Sequence, residues 1–362
     1  MFKKSGLLTF YAETSLHMGS GTSLSYVDLP IQREKHTEFP IMQASGIKGV
    51  IREFAERHWK DDKTKVEVIF GPKEGDKFAS CIVFTDAKIL LFPVKSVSGI
   101  FAWVTSPFIL KRFKRDLESA GIEFKDNNEE INIPEPSGEE KIIVATNSIL
   151  KVQNTNQVML EEFVFDVEDG GKSEQANKIA NKIKGFLPQN SAFQDLINEF
   201  PARFCIVADN VFKDFVKLAV EIQTRIKIDQ TTGIVKEGAL FTEELVPSES
   251  VFYSLVFFND PYFGLKEDLR KEIENFYKSQ KPWEEVVKSQ EVKDKGWDSV
   301  KEEVKKYVKE AYQKKYLKAE YFCDLQNSLF NSLNLLQLGG DETLGRGFLR
   351  VKFTKGGHNE NN

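Results

Sequence analysis

A chain of 362 residues that is 41% hydrophobic and 12% aromatic, with 30 phenylalanines, can bury a sizeable core, which excludes an intrinsically disordered segment. Its formal net charge of −5 excludes a uniformly basic nucleic-acid-binding surface, so any such surface must be local. Cys81, Cys205 and Cys323 are widely spaced with no C-x-x-C pair, so neither a disulfide framework nor a zinc site is suggested. With no signal-peptide pattern and no run near ~20 apolar residues, the expectation is a cytoplasmic chain with free thiols and no membrane contact.

Residues 6–14, GLLTFYAET, read as a strand entering the core, and HMGSGT then turns the chain with small residues. Gly19, Ser20 and Gly21 could present backbone N–H groups to an anion, although a plain turn needs no ligand. The stretch SYVDLPIQREKHTEFP has no helical period and carries Pro30 and Pro40, so it reads as an ordered loop. Its acid Asp28 is surrounded by His17, Arg33, Lys35 and His36. A carboxylate beside an RNA backbone can ligate Mg²⁺, which takes one or two carboxylates with phosphate oxygens and water, or assist deprotonation of a 2′-hydroxyl. Most loop acids do neither.

A helix is predicted from near Ser45 to residue 58, with Ile47, Val50, Ile51, Phe54 and Ala55 on its buried face. Ser45, Lys48, Gly49 and Arg52 align on the other face, and Gly46 and Gly49 permit close backbone approach. Free N–H groups, a hydroxyl, a lysine and an arginine suit a phosphodiester; a solvated amphipathic helix is the plainer alternative. After FGPKEGDK breaks regular structure, SCIVFTDAKILLFPV reads as one or two strands buried on both faces. VSGIFAWVTSP leads into a helix capped by Ser106 with Pro107 at its first position and Leu110, Phe113 and Leu117 buried. Lys111, Arg112, Lys114 and Arg115 on its outer part are second-rank candidates for RNA contact, since a basic outer face is more often solvated than ligated.

An acidic, proline-bearing insertion follows near 122–142, then strands at KIIVAT and EEFVFDV, helices over SEQANKIANKIKGF and FQDLINEF, a strand at FCIVA and a helix capped by Asp209. A hairpin near 222–240 turns at DQTTG, with Arg225 and Lys227 on one face of its first strand, where they could straddle a nucleic-acid backbone. Glu243 and Glu244 follow it as candidates for a second carboxylate, with Glu243 preferred. Residues 265–316 are a Lys- and Glu-dense helical insertion, charge-balanced and therefore facing solvent or a neighbour. A helix over 317–337, with Leu317, Tyr321, Leu325, Leu329, Leu333 and Leu336 along one side, returns the chain to the core. LGGDETLGRGF lacks the G-K-[ST] of a P-loop and the strand-to-helix context of a dinucleotide fingerprint, so both are rejected. A final strand reaches Phe353, and residues 354–362 are expected to be a disordered tail.

The phrases HMGSG, VDLPIQREKHTEFP, SGIKGVIREF, FTDAKILLFPVKSVSGIFAWVTSPFILKRF, GALFTEELVP and LGGDETLGRGF run in order from residue 7 to residue 353. Together they resemble the backbone RAMP-family subunit of the type III-B CRISPR effector, the Cmr complex. The resemblance implies an α+β fold: a ferredoxin-like (RRM-like) core over 1–264, a protruding thumb hairpin, helical insertions, and a return to the core over 317–353. It implies a subunit that stacks head to tail with copies of itself, binds guide RNA and other Cmr subunits, and cuts guide-paired single-stranded target RNA through a loop aspartate. By position in the motif that residue is Asp28, with Mg²⁺ or Mn²⁺ as cofactor and His17 as an auxiliary. The thumb would wedge into the guide-target duplex, and Gly345, Arg346 and Gly347 would approach guide RNA. The alternatives are an architectural guide-binding subunit with cleavage elsewhere, and a nuclease that matures the guide.

Overall fold

Nine-residue strand β1 (Lys4–Ala12) is buried from end to end because a strand pairs on each of its edges. The computed structural model that contains it describes residues 2–23, 27–73, 77–189, 193–228, 233 and 235–357, with side chains at 227, 235–239, 320 and 322–327 not described. The other principal strands, in chain order, are β2 (Ala87–Lys95), β3 (Phe101–Thr105), β4 (Lys141–Val144), β5 (Gln157–Leu160), β6 (Phe163–Val167), β7 (Phe204–Val207), β8 (Glu221–Ile228), β9 (Val235–Leu245), β10 (Val251–Phe258) and β11 (Phe348–Lys355). The main helices are α1 (Ala44–His58), α2 (Pro107–Ser119) and α3 (Ala319–Ser332).

The order β11-β1-β10-β2, antiparallel throughout, with α1 between β1 and β2 and α3 between β10 and β11, is a ferredoxin-like βαββαβ arrangement. The fold is α+β, with the large sheet continuing beyond β2 through β3, β7, β4, β6 and β5. Everything from β3 to β9 therefore lies between the second and third core strands, a far longer excursion than the 122–142 segment that its prolines mark. Hairpin β8-β9 is a separate two-stranded sheet leaving that excursion.

Most predicted elements stand within one or two residues. In α1 the buried positions are Ile47, Ile51 and Ala55, while in β2 Ile89, Leu90, Leu91 and Phe92 are all fully buried because the sheet is covered on both faces. Ser106 caps α2, its Oγ accepting from Ile109 N at 3.5 Å, with Pro107 first and Leu110, Phe113 and Leu117 fully buried.

Several readings change. Arg112 is not on an outer face but buried, its Nη1 donating to both Glu34 carboxylate oxygens at 2.8 Å. Its neighbours are also paired, Lys111 with Glu135, Lys114 with Glu130 at 2.9 Å, and Arg115 with Asp116 at 3.1 Å. Asp209 does not cap its helix but begins it, and its Oδ1 accepts from Phe108 N at 2.9 Å, tying that helix to the start of α2. The helix expected to reach 337 ends at Ser332, since Leu336 pairs with Leu349 in the edge strand Leu336–Gln337. Leucines at helical spacing continue past the helix because the same spacing buries them against β11.

The helices at Glu267–Lys278, Trp283–Lys288, Gln290–Asp294 and Glu302–Gln313 occupy the crossover from β10 to α3 and pack around Trp283, Trp297 and Tyr312, with ring centroids 5.2–5.5 Å apart. Cys81 and Cys205 are free and buried, and burial pushes both thiols well above their ordinary range. The tail expected to be disordered from 354 is ordered as far as 357, because β11 runs on to Lys355 and Gly356 N and Gly357 N donate to Ser5 O and Gly121 O at 2.9 Å; residues 358–362, the hairpin turn 229–232 and the Cys323 and Leu325 side chains lie outside the described residues. No helix among the described residues is long and apolar enough to cross a membrane.

Candidate functional site

Strand β9 gathers the candidates through three consecutive residues. Leu29 lies parallel to it, donating its N–H to Thr242 O at 3.0 Å and accepting from Glu244 N at 3.0 Å. The loop is stitched on its other side too, by Gln32 N to Met18 O at 2.7 Å and Ser20 N to Pro30 O at 2.9 Å. Asp28 is thus carried on a short ladder between the 16–20 turn and the hairpin, a rigid seat in spite of its prolines.

Thr242 holds Asp28. Its backbone N–H donates to Asp28 Oδ2 at 2.7 Å and its hydroxyl to the same oxygen at 2.9 Å, while Asp28 N donates back to Thr242 Oγ1 at 3.0 Å. The Thr242 N–H first, then its hydroxyl, keep the Asp28 carboxyl below the usual aspartate range. Asp28 is exposed, and its Oδ1 accepts no hydrogen bond among the described residues. Thr242 faces Thr224 across the hairpin and Leu240 faces Ile226, so these side chains share one face. That face presents exposed apolar side chains beside Asp28: Ile222 is 60%, Ile226 52% and Leu240 64% exposed.

Glu243 points the other way. It is 2% exposed, its Oε2 accepting from Arg346 Nη1 at 2.5 Å and Arg225 Nη1 at 3.2 Å, with His17 Nδ1 3.6 Å from Oε1. Asp341 completes the cluster, taking Arg225 Nη1 at 2.8 and 2.9 Å and Arg346 Nη1 at 2.7 Å. Burial acts to raise the Asp341 carboxyl, but the hydrogen bond from Arg225 and the two guanidinium charges hold it below the ordinary range. Arg225 and Arg346, expected against RNA, are engaged with these acids, and Arg346 also donates to Gln223 Oε1. The Lys227 side chain lies outside the described residues.

Glu244 turns back to the loop, accepting from Ile31 N at 2.9 Å and Arg33 Nη2 at 2.5 Å. Arg33 in turn donates to Glu38 O and Val216 O, so it braces the loop. His17 is buried, and its Nδ1 lies 2.9 Å from Glu244 O. A carbonyl cannot donate, so Nδ1 carries the proton.

A cleft of about 280 Å³ brings together three distant phrases: His17, Met18 and Gly19 from the first turn, Gln43, Ser45 and Gly46 at the start of α1, and Leu338, Gly339 and Gly340 from the glycine-rich loop. Gly339 is required there, for its φ is +102° and a Cβ would sit 2.5 Å from His17 O. Ser20 and Gly21 are exposed at the rim of the turn. Lys48 and Arg52 do not line the cleft: Lys48 Nζ donates to Ser80 Oγ at 2.8 Å and Arg52 Nε to Glu56 at 3.1 Å. Burial, then the neighbouring Arg52, lowers the Lys48 ammonium from its ordinary value. Gly347 is buried, its φ is +77°, and a Cβ would meet Leu338 O at 2.2 Å, so packing requires this glycine.

Sequence reasoning missed Thr242, Asp341, and Gly339 with Gly340. The paired glycines were a usable signal for a close backbone approach. Nothing local marks a threonine in an alternating strand as the partner of an acid 214 positions away.

The RAMP superfamily profile matches residues 9–350. The chain is 40% identical over 266 residues to the CRISPR system Cmr endoribonuclease Cmr4 of Pyrococcus furiosus, covering 70% of this chain and 81% of that protein. It is 28% identical over 261 residues to the CRISPR system CMR subunit Cmr4 of Saccharolobus solfataricus, covering 67% and 80%. Among solved structures, oligomeric Cmr4 from Pyrococcus furiosus superposes with a TM-score of 0.61 at 28% identity over 98% of this chain and 99% of that one. A chain of the type III-B Cmr-beta complex bound to cognate target RNA shares the fold, with a TM-score of 0.61 at 20% identity over 97% of this chain and 98% of that one. By the length of the profile match and the identity to a curated relative, the chain belongs to the RAMP superfamily and, within it, to the Cmr4 family.

Proposed function

We propose that this chain is the guide-RNA-binding backbone subunit of a type III-B CRISPR antiviral complex, acting in the cytoplasm, and that it cuts guide-paired target RNA at regular intervals through Asp28. One observation carries the reading: in a chain 40% identical to a named endoribonuclease, an exposed carboxylate is held by the β8-β9 hairpin beside its exposed apolar side chains. Exposed Ile226 and Leu240 can pack against bases that the thumb separates, which turns the sugar-phosphate link toward Asp28. An ionised carboxylate accepts only, and the 2′-hydroxyl is the donor that RNA offers and DNA lacks. The 2′-hydroxyl gives its proton to the carboxylate, the 2′-oxygen bonds to the adjacent phosphorus to form a 2′,3′-cyclic phosphate, the P–O5′ bond breaks, and the 5′-oxygen takes a proton from water. Guide pairing selects the target, because backbone contacts carry no sequence information.

Asp28 Oδ1 fits a Mg²⁺ or Mn²⁺ that takes its remaining ligands from phosphate and water. When bound, such an ion would neutralise charge developing on the phosphate oxygens. Among the described residues there is no cluster of three His, Cys, Asp or Glu able to hold a metal, and both Glu243 oxygens face cationic or imidazole partners, so Asp28 would be the protein's carboxylate ligand. Glu243 and His17 then act by holding the hairpin to the turn. Guide contacts are proposed along Gly19, Ser20, Gly21, Ser45, Gly46 and the glycine-rich loop, with copies of the chain stacked head to tail and other Cmr subunits at the ends.

The same hydrogen bonds favour one rival, an architectural subunit in which Asp28 only secures its loop. Asp28→Ala in the assembled complex separates the two. We expect guide binding and assembly to persist while target cleavage is lost; undiminished cutting rejects the active-site assignment.

A further inference from the structure

We propose that Thr242 is the positioning residue of Asp28, occupying Oδ2 so that Oδ1 alone meets the RNA or the metal. The inference rests on the reading of Asp28 as the cleaving group and extends it to the residue that aims it. The geometry is reciprocal. Oδ2 receives two donors from one residue, the N–H at 2.7 Å and the hydroxyl at 2.9 Å, and the hydroxyl accepts in return from Asp28 N at 3.0 Å. This closed ring of hydrogen bonds fixes the carboxylate plane relative to the backbone of β9. A free aspartate rotates about two side-chain bonds, and a carboxylate that must lie within a fraction of an ångström of a reacting atom gains rate from losing that freedom.

The strand that carries Thr242 is itself fixed on both sides. Glu243 is buried among Arg225, Arg346 and His17, and Glu244 takes Ile31 N and Arg33. The carboxylate is therefore aimed by the hairpin and not by its own loop alone. A duplex that displaces the hairpin displaces the carboxylate with it. The apolar residues Ile226 and Leu240 lie on the Thr242 face of the same two strands, so the surface that meets the bases and the hydroxyl that holds the acid are parts of one rigid element.

The test uses Thr242→Val, which removes only the hydroxyl, and Thr242→Ser, which retains it, in the complex reconstituted with guide and target RNA. We expect Val to lower the single-turnover cleavage rate roughly 10-fold or more, the scale seen when a group orienting a ligand is removed, with target affinity unchanged. Ser should restore the rate to within about 3-fold of the parent. A second readout is independent of activity. In a crystal structure of the Thr242→Val protein alone, the Asp28 carboxylate should leave its place or lose order while the backbone of 27–31 stays. Unchanged cleavage in the Val variant, a Ser variant as slow as Val, or a carboxylate that keeps its position without the hydroxyl overturns the proposal. Asp28→Ala is run alongside. If it still cuts, the cleavage reading fails; if it is inactive while Thr242→Val cuts normally, only the positioning role fails.

Discussion

Replacing Arg346 by methionine perturbs the cluster that joins the glycine-rich loop to the thumb. Arg346 Nη1 lies 2.5 Å from Glu243 and 2.7 Å from Asp341, and its side chain is 12% exposed against 2% for Glu243. Without it two carboxylates share one guanidinium, that of Arg225, which sits 3.2 Å from Glu243 and is the most exposed of the four. Removing one partner of a buried ion pair costs about 3–5 kcal/mol, because the other charge is left without compensation. Arg225 remains as partial compensation, so we expect about 3 kcal/mol. The double variant Arg346→Met/Glu243→Leu leaves Arg225 and Asp341 as a balanced pair, and apolar replacement of both partners is often close to neutral. Glu243→Leu alone leaves Arg346 paired with Asp341 and should cost about 1 kcal/mol, and we expect the double variant to lose about 1 kcal/mol or less, a coupling of about 3 kcal/mol. Urea unfolding of the parent, the two single variants and the double variant measures this directly. If the two single losses simply add in the double variant, the cluster is not a coupled unit and the reasoning is wrong.

Glu249 is half-buried with no partner for Oε2, and burial pushes its carboxyl up from 4.5 to about 7. A raised carboxyl favours the fold while protonated, so this contribution is intact below pH 4.5 and is lost as pH rises to about 7. At about 1.4 kcal/mol per pH unit the loss is up to roughly 3 kcal/mol, less whatever residual water contact restores. Glu249→Gln should therefore be more stable than the parent at pH 8 and equal to it at pH 4; equal stability at both would refute the shift. Gly347→Ala places a Cβ 2.2 Å from Leu338 O at positive φ and should destabilise by about 2 kcal/mol or more, whereas Gly345→Ala, also at positive φ but with no atom within 4 Å, should cost about 1 kcal/mol. Thermal unfolding of the pair checks this, and equal losses would show that the close approach to Leu338 does not matter.

Local chemistry made much of the fold legible. The period of Ile47, Ile51 and Ala55 placed α1, Ser106 followed by Pro107 placed the start of α2, and the run at 89–92 placed a strand covered on both faces, because each follows from contacts within a few residues. Asp28 stood out by its neighbours and its motif, and the structure finds it exposed on a fixed loop. Charge, by contrast, does not reveal its partner in the sequence. Lys48, Arg52, Arg225 and Arg346 had the composition of an RNA groove, yet each commits a donor to Ser80, Glu56, Glu243 or Asp341, up to 116 positions away. Which oxygen of Asp28 remains open was likewise decided by Thr242, through a strand pairing between residues 214 apart. Periodicity is a property of one element and can be read along it, whereas the pairing of polar groups is a property of the packed sheet and exists only once distant strands meet.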